Sequence, residues 1–152
     1  AAVDTRIDDD FVIIARTDAR TTLGLAEALR RGQAYAEAGA DLIFIESPES
    51  IEEMKEINRA FPNVPTLANM LEGGRSPMPT TKELENMGFG IAIYCTGPLY
   101  AAAGAVKRYL EALQRTGDTK SIWNDLITFS EFNNFIGLDE YNKKGQKYGV
   151  KQ

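Results

Sequence analysis

The chain has 152 residues, 43% of them hydrophobic and 26% charged, with a formal net charge of -5. That length and composition suit a globular domain with a sizeable core, and the acidity argues against a nucleic-acid partner. No apolar run approaches the roughly 20 residues needed to span a bilayer, and the lack of histidine excludes Ser-His and Cys-His couples and His-based metal sites within this sequence.

The first ten residues, AAVDTRIDDD, carry no signal-like pattern and read as the tail of a helix entering a loop. This predicts that the chain begins partway through a larger fold. A continuous apolar run, FVIIA (11–15), then predicts a first strand, and DLIFI (41–45), PTLA (65–68) and FGIAI (89–93) predict three more. These runs are continuous rather than alternating, as expected of parallel strands covered on both faces. Between the first two, Leu25, Ala28, Leu29, Gly32 and Ala36 fall at helical spacing, with Gly39 as the stop. Ser50 with Glu53, and Thr80 with Glu83, have capping-box spacing and predict two further helix starts. The longest predicted helix runs from near Pro98 to Gly117. A helical tail follows, in which Trp123, Phe129, Phe132, Phe135 and Tyr141 need a surface to pack on.

The predicted strands start at 11, 41, 65 and 89, a spacing of 30, 24 and 24 residues that is typical of βα units. The expectation is an α/β fold of parallel strands: either half of an eight-unit barrel, which needs about 250 residues in full, or a small open doubly wound sheet. No G-x-G-x-x-G follows the first strand, so a dinucleotide-binding version loses its main support. The domain expectation is residues 1–117 for the α/β part and 118–152 for the tail.

In such folds chemistry gathers where strands end. The first predicted strand runs into Arg16, Thr17 and Asp18, the second into Glu46 and Ser47, the third into Asn69, and the fourth into Tyr94, Cys95 and Thr96. Arg16 has the planar fork of a carboxylate or phosphate clamp, with an internal ion pair to Asp18 or Glu46 as the alternative. Glu46 directly follows an apolar run, so a partly desolvated carboxylate there either holds a proton or orients a metal-bound water, or else caps a loop. Asn69 offers a donor and an acceptor to a substrate oxygen or to a turn. The loop NMLEGGRSPMPT (69–80) contains Gly73 and Gly74, whose backbone is free to turn N–H groups toward an anion, with Glu72 or Arg75 as a gate. Cys95 reads as a small buried hydrophobe rather than a catalytic thiol, since no basic neighbour in sequence lowers its pKa. One cysteine excludes an internal disulfide framework and fits a reducing compartment. A cytoplasmic location is expected, with an organelle as the alternative.

The stretches DFVIIARTDAR, GADLIFIES, PTLANMLEGGRSP and MGFGIAIY, in this order, resemble the strand signatures of the isocitrate lyase/phosphoenolpyruvate mutase superfamily. The tail ITFSEFNNFIGLDEY resembles the tail of its short members, which are methylisocitrate and dimethylmalate lyases, oxaloacetate hydrolases and phosphonomutases. The resemblance implies a (β/α)8 barrel of which this chain is the C-terminal half, strands five to eight. It also implies Mg2+ (or Mn2+) chemistry on small 2-hydroxy or 2-oxo acids through an enolate. By position, Arg16 matches the arginine that grips the substrate's carboxylate or phosphonate, and Glu46 and Asn69 match polar residues that contact substrate. Glu72, Gly73 and Gly74 match the adjoining substrate loop. Cys95 stands where relatives place Pro or Ser, which makes it a substrate-binding candidate. The metal ligands and the K-K-C-G-H loop of the family precede strand five, so no metal ligand is expected in this sequence, and the chain alone is expected to be inactive. The partners implied are a small carboxylic acid, a complementary N-terminal half and further copies in a dimer or tetramer, with no nucleic acid and no membrane. A phosphonomutase, a non-catalytic assembly module and a small autonomous α/β domain are the alternatives.

Overall fold

In the structure, a computed structural model that describes residues 1–149, short helix α1 (Ala2–Thr5) leads through a loop to β1 (Ile14–Thr17). Helices α2 (Ala19–Leu23) and α3 (Leu25–Glu37), β2 (Leu42–Ile45) and α4 (Ile51–Ala60) follow. Then come β3 (Leu67–Asn69), α5 (Thr81–Met87), β4 (Ile91–Ile93) and the 20-residue α6 (Gly97–Thr116). A 3-10 turn (Lys120–Asp125), α7 (Phe129–Phe135) and α8 (Leu138–Tyr148) complete the tail; its last residues, 150–152, lie outside the described part. The chain divides into two compact units, Ala1–Tyr100 and Ala101–Gln152, so the division falls inside α6, upstream of the expected 117/118 boundary.

The α/β expectation holds. β1 pairs parallel with β2, and β3 parallel with β4. A parallel bridge from Ile43 to Thr66, with the Ile43 N–H donating to the Pro65 carbonyl at 3.0 Å, joins β2 to the lead of β3. The strands therefore neighbour one another in chain order. Every residue of β2 is buried, with β1 paired along one edge and the lead of β3 against the other. The strands begin later than the apolar runs. Phe11 and Val12 stay out of β1, 68% and 59% exposed, because the neighbouring strand ends its pairing at Asp41. The Asp41 carboxylate takes the Ile13 N–H at 2.8 Å and the Arg6 guanidinium at 2.8 Å, so that junction is closed by a side chain rather than by a ladder. At the other end β1 runs further than expected: Arg16 and Thr17 lie within it, with the Glu46 N–H donating to the Thr17 carbonyl at 3.0 Å.

Side-chain alternation splits the sheet into two faces. Ala15, Ile43 and Ile45 pack with Ala28, Ile57 and Phe61 of the helical layer, and Ala68 packs with Met54 and Leu84. Leu42, Phe44, Leu67 and Ile93 form a separate apolar cluster on the other face. Burying an aliphatic side chain of this size stabilises by roughly 1.5–3 kcal/mol, so Ile43, Met54 and Ile57, all essentially inaccessible, dominate the helical side. Gly32 sets the approach of α3 to β2, since a Cβ there would sit 2.6 Å from Phe61 Cζ and 3.1 Å from Ile45.

Helix starts follow their caps. Thr80 and Glu83 form a complete capping box on α5. The Ser50 hydroxyl accepts from the Glu53 N–H at 3.1 Å, but the expected box is only half made, because the Glu53 carboxylate turns instead to Arg20 and the Glu49 N–H. The second unit is helical, with a capping box at Thr128 and Glu131 on α7. Its aromatic side chains are open in this chain: Phe129 is 84% exposed and Phe135 81%.

Candidate active site at the strand ends

Three of the expected residues meet. Arg16 sits on β1 opposite Phe44 of β2, and its guanidinium lies 4.9 Å from the Phe44 ring centroid. That stacked position aims the fork at the end of β2. There Arg16 Nη2 is 3.1 Å from Glu46 Oε2, and the same carboxylate oxygen accepts from Asn69 Nδ2 at 3.4 Å. Ser47 donates to the other oxygen, Glu46 Oε1, at 3.1 Å. Arg16 also forks onto Asp18 Oδ1, with Nε at 3.0 Å and Nη2 at 2.7 Å. The internal ion pair weighed for Arg16 is thus made with both carboxylates. Its pKa is raised, first by the hydrogen bond to Asp18, with partial burial opposing and the Glu46 charge adding. With about half its surface exposed, Arg16 still faces solvent and can exchange partners.

In this cluster Asn69 Oδ1 is buried without a protein partner, as is Thr96 Oγ1 beyond the end of β4. Such atoms cost about 1–3 kcal/mol when left unpaired. Asn69 therefore holds its amide N–H toward Glu46 while keeping an acceptor free.

The other expected residues behave differently. Gly73, at φ 73°, and Gly74 make a turn in which the Gly74 N–H donates to the Leu71 carbonyl at 2.9 Å, so that N–H is not available to an anion. Glu72 is exposed and folds its carboxylate against Gly97, the first residue of α6, where a helix N-terminus favours negative charge. Cys95 is exposed, contrary to the reading of a small buried hydrophobe. It follows the short β4, whose Ile91 is itself 41% exposed, so no packed layer covers the thiol. A concavity of about 460 Å3 between α4 and α5, lined by Ile51, Lys55, Arg59 and Glu83 among others, contains none of the strand-end residues.

Sequence reasoning placed Ser47 at the end of the second strand, and it joins the cluster through Glu46, but it passed over Phe44, which supports Arg16. Phe44 stands two residues before Glu46 and so on the same face of its strand, a signal that was present. Ser47 adopts φ 58°, a left-handed conformation that costs a non-glycine residue on the order of 1–3 kcal/mol and that its surroundings must hold.

Mg2+ takes oxygen ligands in near-octahedral geometry, usually including carboxylates. Among the described residues no group of three or more acidic or thiol side chains is arranged to hold a metal ion. The one carboxylate central to the cluster, Glu46, already has the Arg16 guanidinium at 3.1 Å, so a cation would have to displace a cation. These residues do not by themselves fit Mg2+ or Mn2+.

No helix among the described residues is long and apolar enough to cross a membrane. The model of the phosphoenolpyruvate phosphomutase family matches residues 1–114. The chain is 52% identical to the 2,3-dimethylmalate lyase of Eubacterium barkeri, over 99% of this chain and 52% of that protein. Among solved structures, oxaloacetate acetylhydrolase in complex with the product oxalate superposes with a TM-score of 0.83 at 33% identity, covering 93% of this chain and 48% of that one. Phosphonopyruvate hydrolase in complex with oxalate and Mg2+ superposes with a TM-score of 0.80 at 33% identity, covering 99% and 53%. The chain spans about half the length of the curated relatives it matches. With parallel strands in chain order, polar strand ends gathered at Arg16 and a family match over most of its length, the chain belongs to the phosphoenolpyruvate phosphomutase family, within the isocitrate lyase/PEP mutase superfamily.

Proposed function

We propose that this chain supplies one half, strands five to eight, of a (β/α)8 barrel that cleaves a carbon–carbon bond in a small 2-hydroxy or 2-oxo dicarboxylic acid. The observation that carries the reading is the meeting of Arg16, Glu46 and Asn69 at the ends of three neighbouring parallel strands. Arg16 grips one substrate carboxylate by exchanging it for Asp18, a swap between two like-charged partners at a half-exposed site. The free acceptor of Asn69 takes a substrate hydroxyl. Glu46, held between Arg16, Ser47 and Asn69, orients a second hydroxyl or water. Cys95, exposed beside this rim, shapes the far end of the pocket, with Glu72, Gly73 and Gly74 on the loop that borders it.

The half-barrel reading is supported by the sheet edges. Among the described residues β1 and β4 each pair on one side only, and Ile14 and Ile91 are 45% and 41% exposed there. A complementary N-terminal half covers these edges and brings the ligands for Mg2+, the ion named in one solved relative. The open aromatics of the second unit support packing of the tail, residues 118–152, on a barrel or on a neighbouring subunit in a dimer or tetramer.

A substrate panel tests the function. The complete barrel carrying this sequence is assayed with Mg2+ against 2,3-dimethylmalate, oxaloacetate, 2-methylisocitrate and phosphonopyruvate. Turnover of one of the first three is expected. Turnover of phosphonopyruvate alone would transfer the assignment to phosphorus–carbon chemistry, for which the Arg16 fork is equally suited. No turnover of any would remove the enzymatic reading.

A further inference from the structure

We propose that Arg20 is a positioning residue for the strand-end site, clamping the segment that carries Glu46 onto the first turn of α4. Arg20 lies four residues beyond Arg16, and its partners are Glu49 and Glu53 rather than Glu46 or Asn69. Its side chain is only 16% exposed and all three arms of its guanidinium are engaged. Nε and Nη2 donate to Glu53 Oε2 and Oε1 at 2.9 and 2.6 Å, and Nη1 reaches Glu49 Oε1 at 2.7 Å. Glu53 Oε2 also accepts the Glu49 N–H at 2.7 Å. Backbone and side chain of Glu49 are thereby fixed to the same two residues.

The geometry matters because of what lies between the anchors. The segment from Glu46 to Ser50 is held at its start by the Glu46 N–H on the Thr17 carbonyl, and at its end by the Ser50 cap. Between them sit Ser47 in its left-handed conformation and a buried Pro48. A conformation of that kind persists only where the surroundings over-determine it, and the Arg20 clamp grips the chain two residues further on. Charge adds to the effect. Glu49 and Glu53 converge on the one cation, so without Arg20 two carboxylates would face each other and push the segment away from α4. Lysine keeps the charge but has no planar fork to serve three acceptors.

The inference rests on the reading that Glu46 touches substrate, and its test separates the two. In the complete barrel, Arg20→Lys is expected to lower kcat about tenfold with KM changed less than twofold, as displacement of a positioned group does. Amide exchange at Glu49, whose N–H is held by Glu53, rises about tenfold while Ile43 in the core keeps its protection. Glu49→Gln spares the Arg20–Glu53 pair and so guards against an unfolded variant; it should give the same pattern at about a third of the size. Faster exchange with unchanged kcat, or exchange that rises equally at Ile43, would overturn the positioning role. Failure of the wild-type barrel to turn over any substrate would instead sink the site reading, and wild-type exchange at Glu49 in Arg20→Lys would still refute the clamp.

Discussion

The two faces of the sheet are built to different ends. On the helical side Ile43, Ile45 and Ala68 meet apolar partners and little else, and Thr17 turns its hydroxyl to the Ala19 N–H at 3.3 Å. On the other side Leu42, Phe44 and Leu67 make an apolar floor that ends in a guanidinium, a carboxylate and an amide. One face spends its side chains on close packing. The other keeps exposed charge and unpaired acceptors, which lower stability and suit a ligand. Substitutions on the first should therefore move stability, and substitutions at the rim of the second should move function.

The largest contrast is expected between Ile43→Ala and Arg16→Gln. Ile43→Ala should lower stability by about 2–5 kcal/mol in denaturant melts, because a cavity opens where α3, α4 and β2 meet. Arg16→Gln should leave stability within about 1 kcal/mol, since its ion pairs are half-exposed. In steady-state assays of the complete barrel the same change should cost kcat/KM about a hundredfold, the scale of a lost charged hydrogen bond to substrate. A large stability loss in Arg16→Gln would erase the division between the faces. Next in size, Gly32→Ala should destabilise by about 1–3 kcal/mol, as the new methyl collides with Phe61 and Ile45. A neutral result would show that α3 stands off the sheet.

A smaller effect concerns pH. The Arg20 hydrogen bond, together with the Glu49 N–H, holds the Glu53 carboxyl below its ordinary 4.5, against some desolvation. A lowered carboxylate pKa contributes stability that is fully present above 4.5 and is lost as pH falls through the folded value. The stability gap between wild type and Glu53→Gln should therefore be widest near neutral pH and narrow below about pH 4.5. A gap that widens on acidification would contradict the Arg20–Glu53 geometry.

The architecture was legible because four apolar runs at βα spacing leave few alternatives, and because Arg16, Glu46 and Asn69 each follow or close such a run. Parity then brings them together, since the ends of neighbouring parallel strands share one rim. What escaped was set by partners remote in sequence. The late start of β1 depends on Asp41, which takes the Ile13 N–H across 28 positions. The Arg20 clamp joins residues 33 apart, and the diversion of Glu53 from its capping box follows from it. Cys95 was misread because burial belongs to the layer around a residue, and β4 has a neighbour on one side only among the described residues. Local spacing says nothing about such neighbours.

The central claim is that Arg16, Glu46 and Asn69 form a single site for a carboxylate ligand. A crystal structure of the complete barrel with oxalate and Mg2+ tests it most directly. The account predicts an oxalate oxygen within hydrogen-bond distance of the Arg16 guanidinium, with Asn69 and Glu46 lining the same pocket. Oxalate bound elsewhere, with Arg16 still forked onto Asp18, would contradict it.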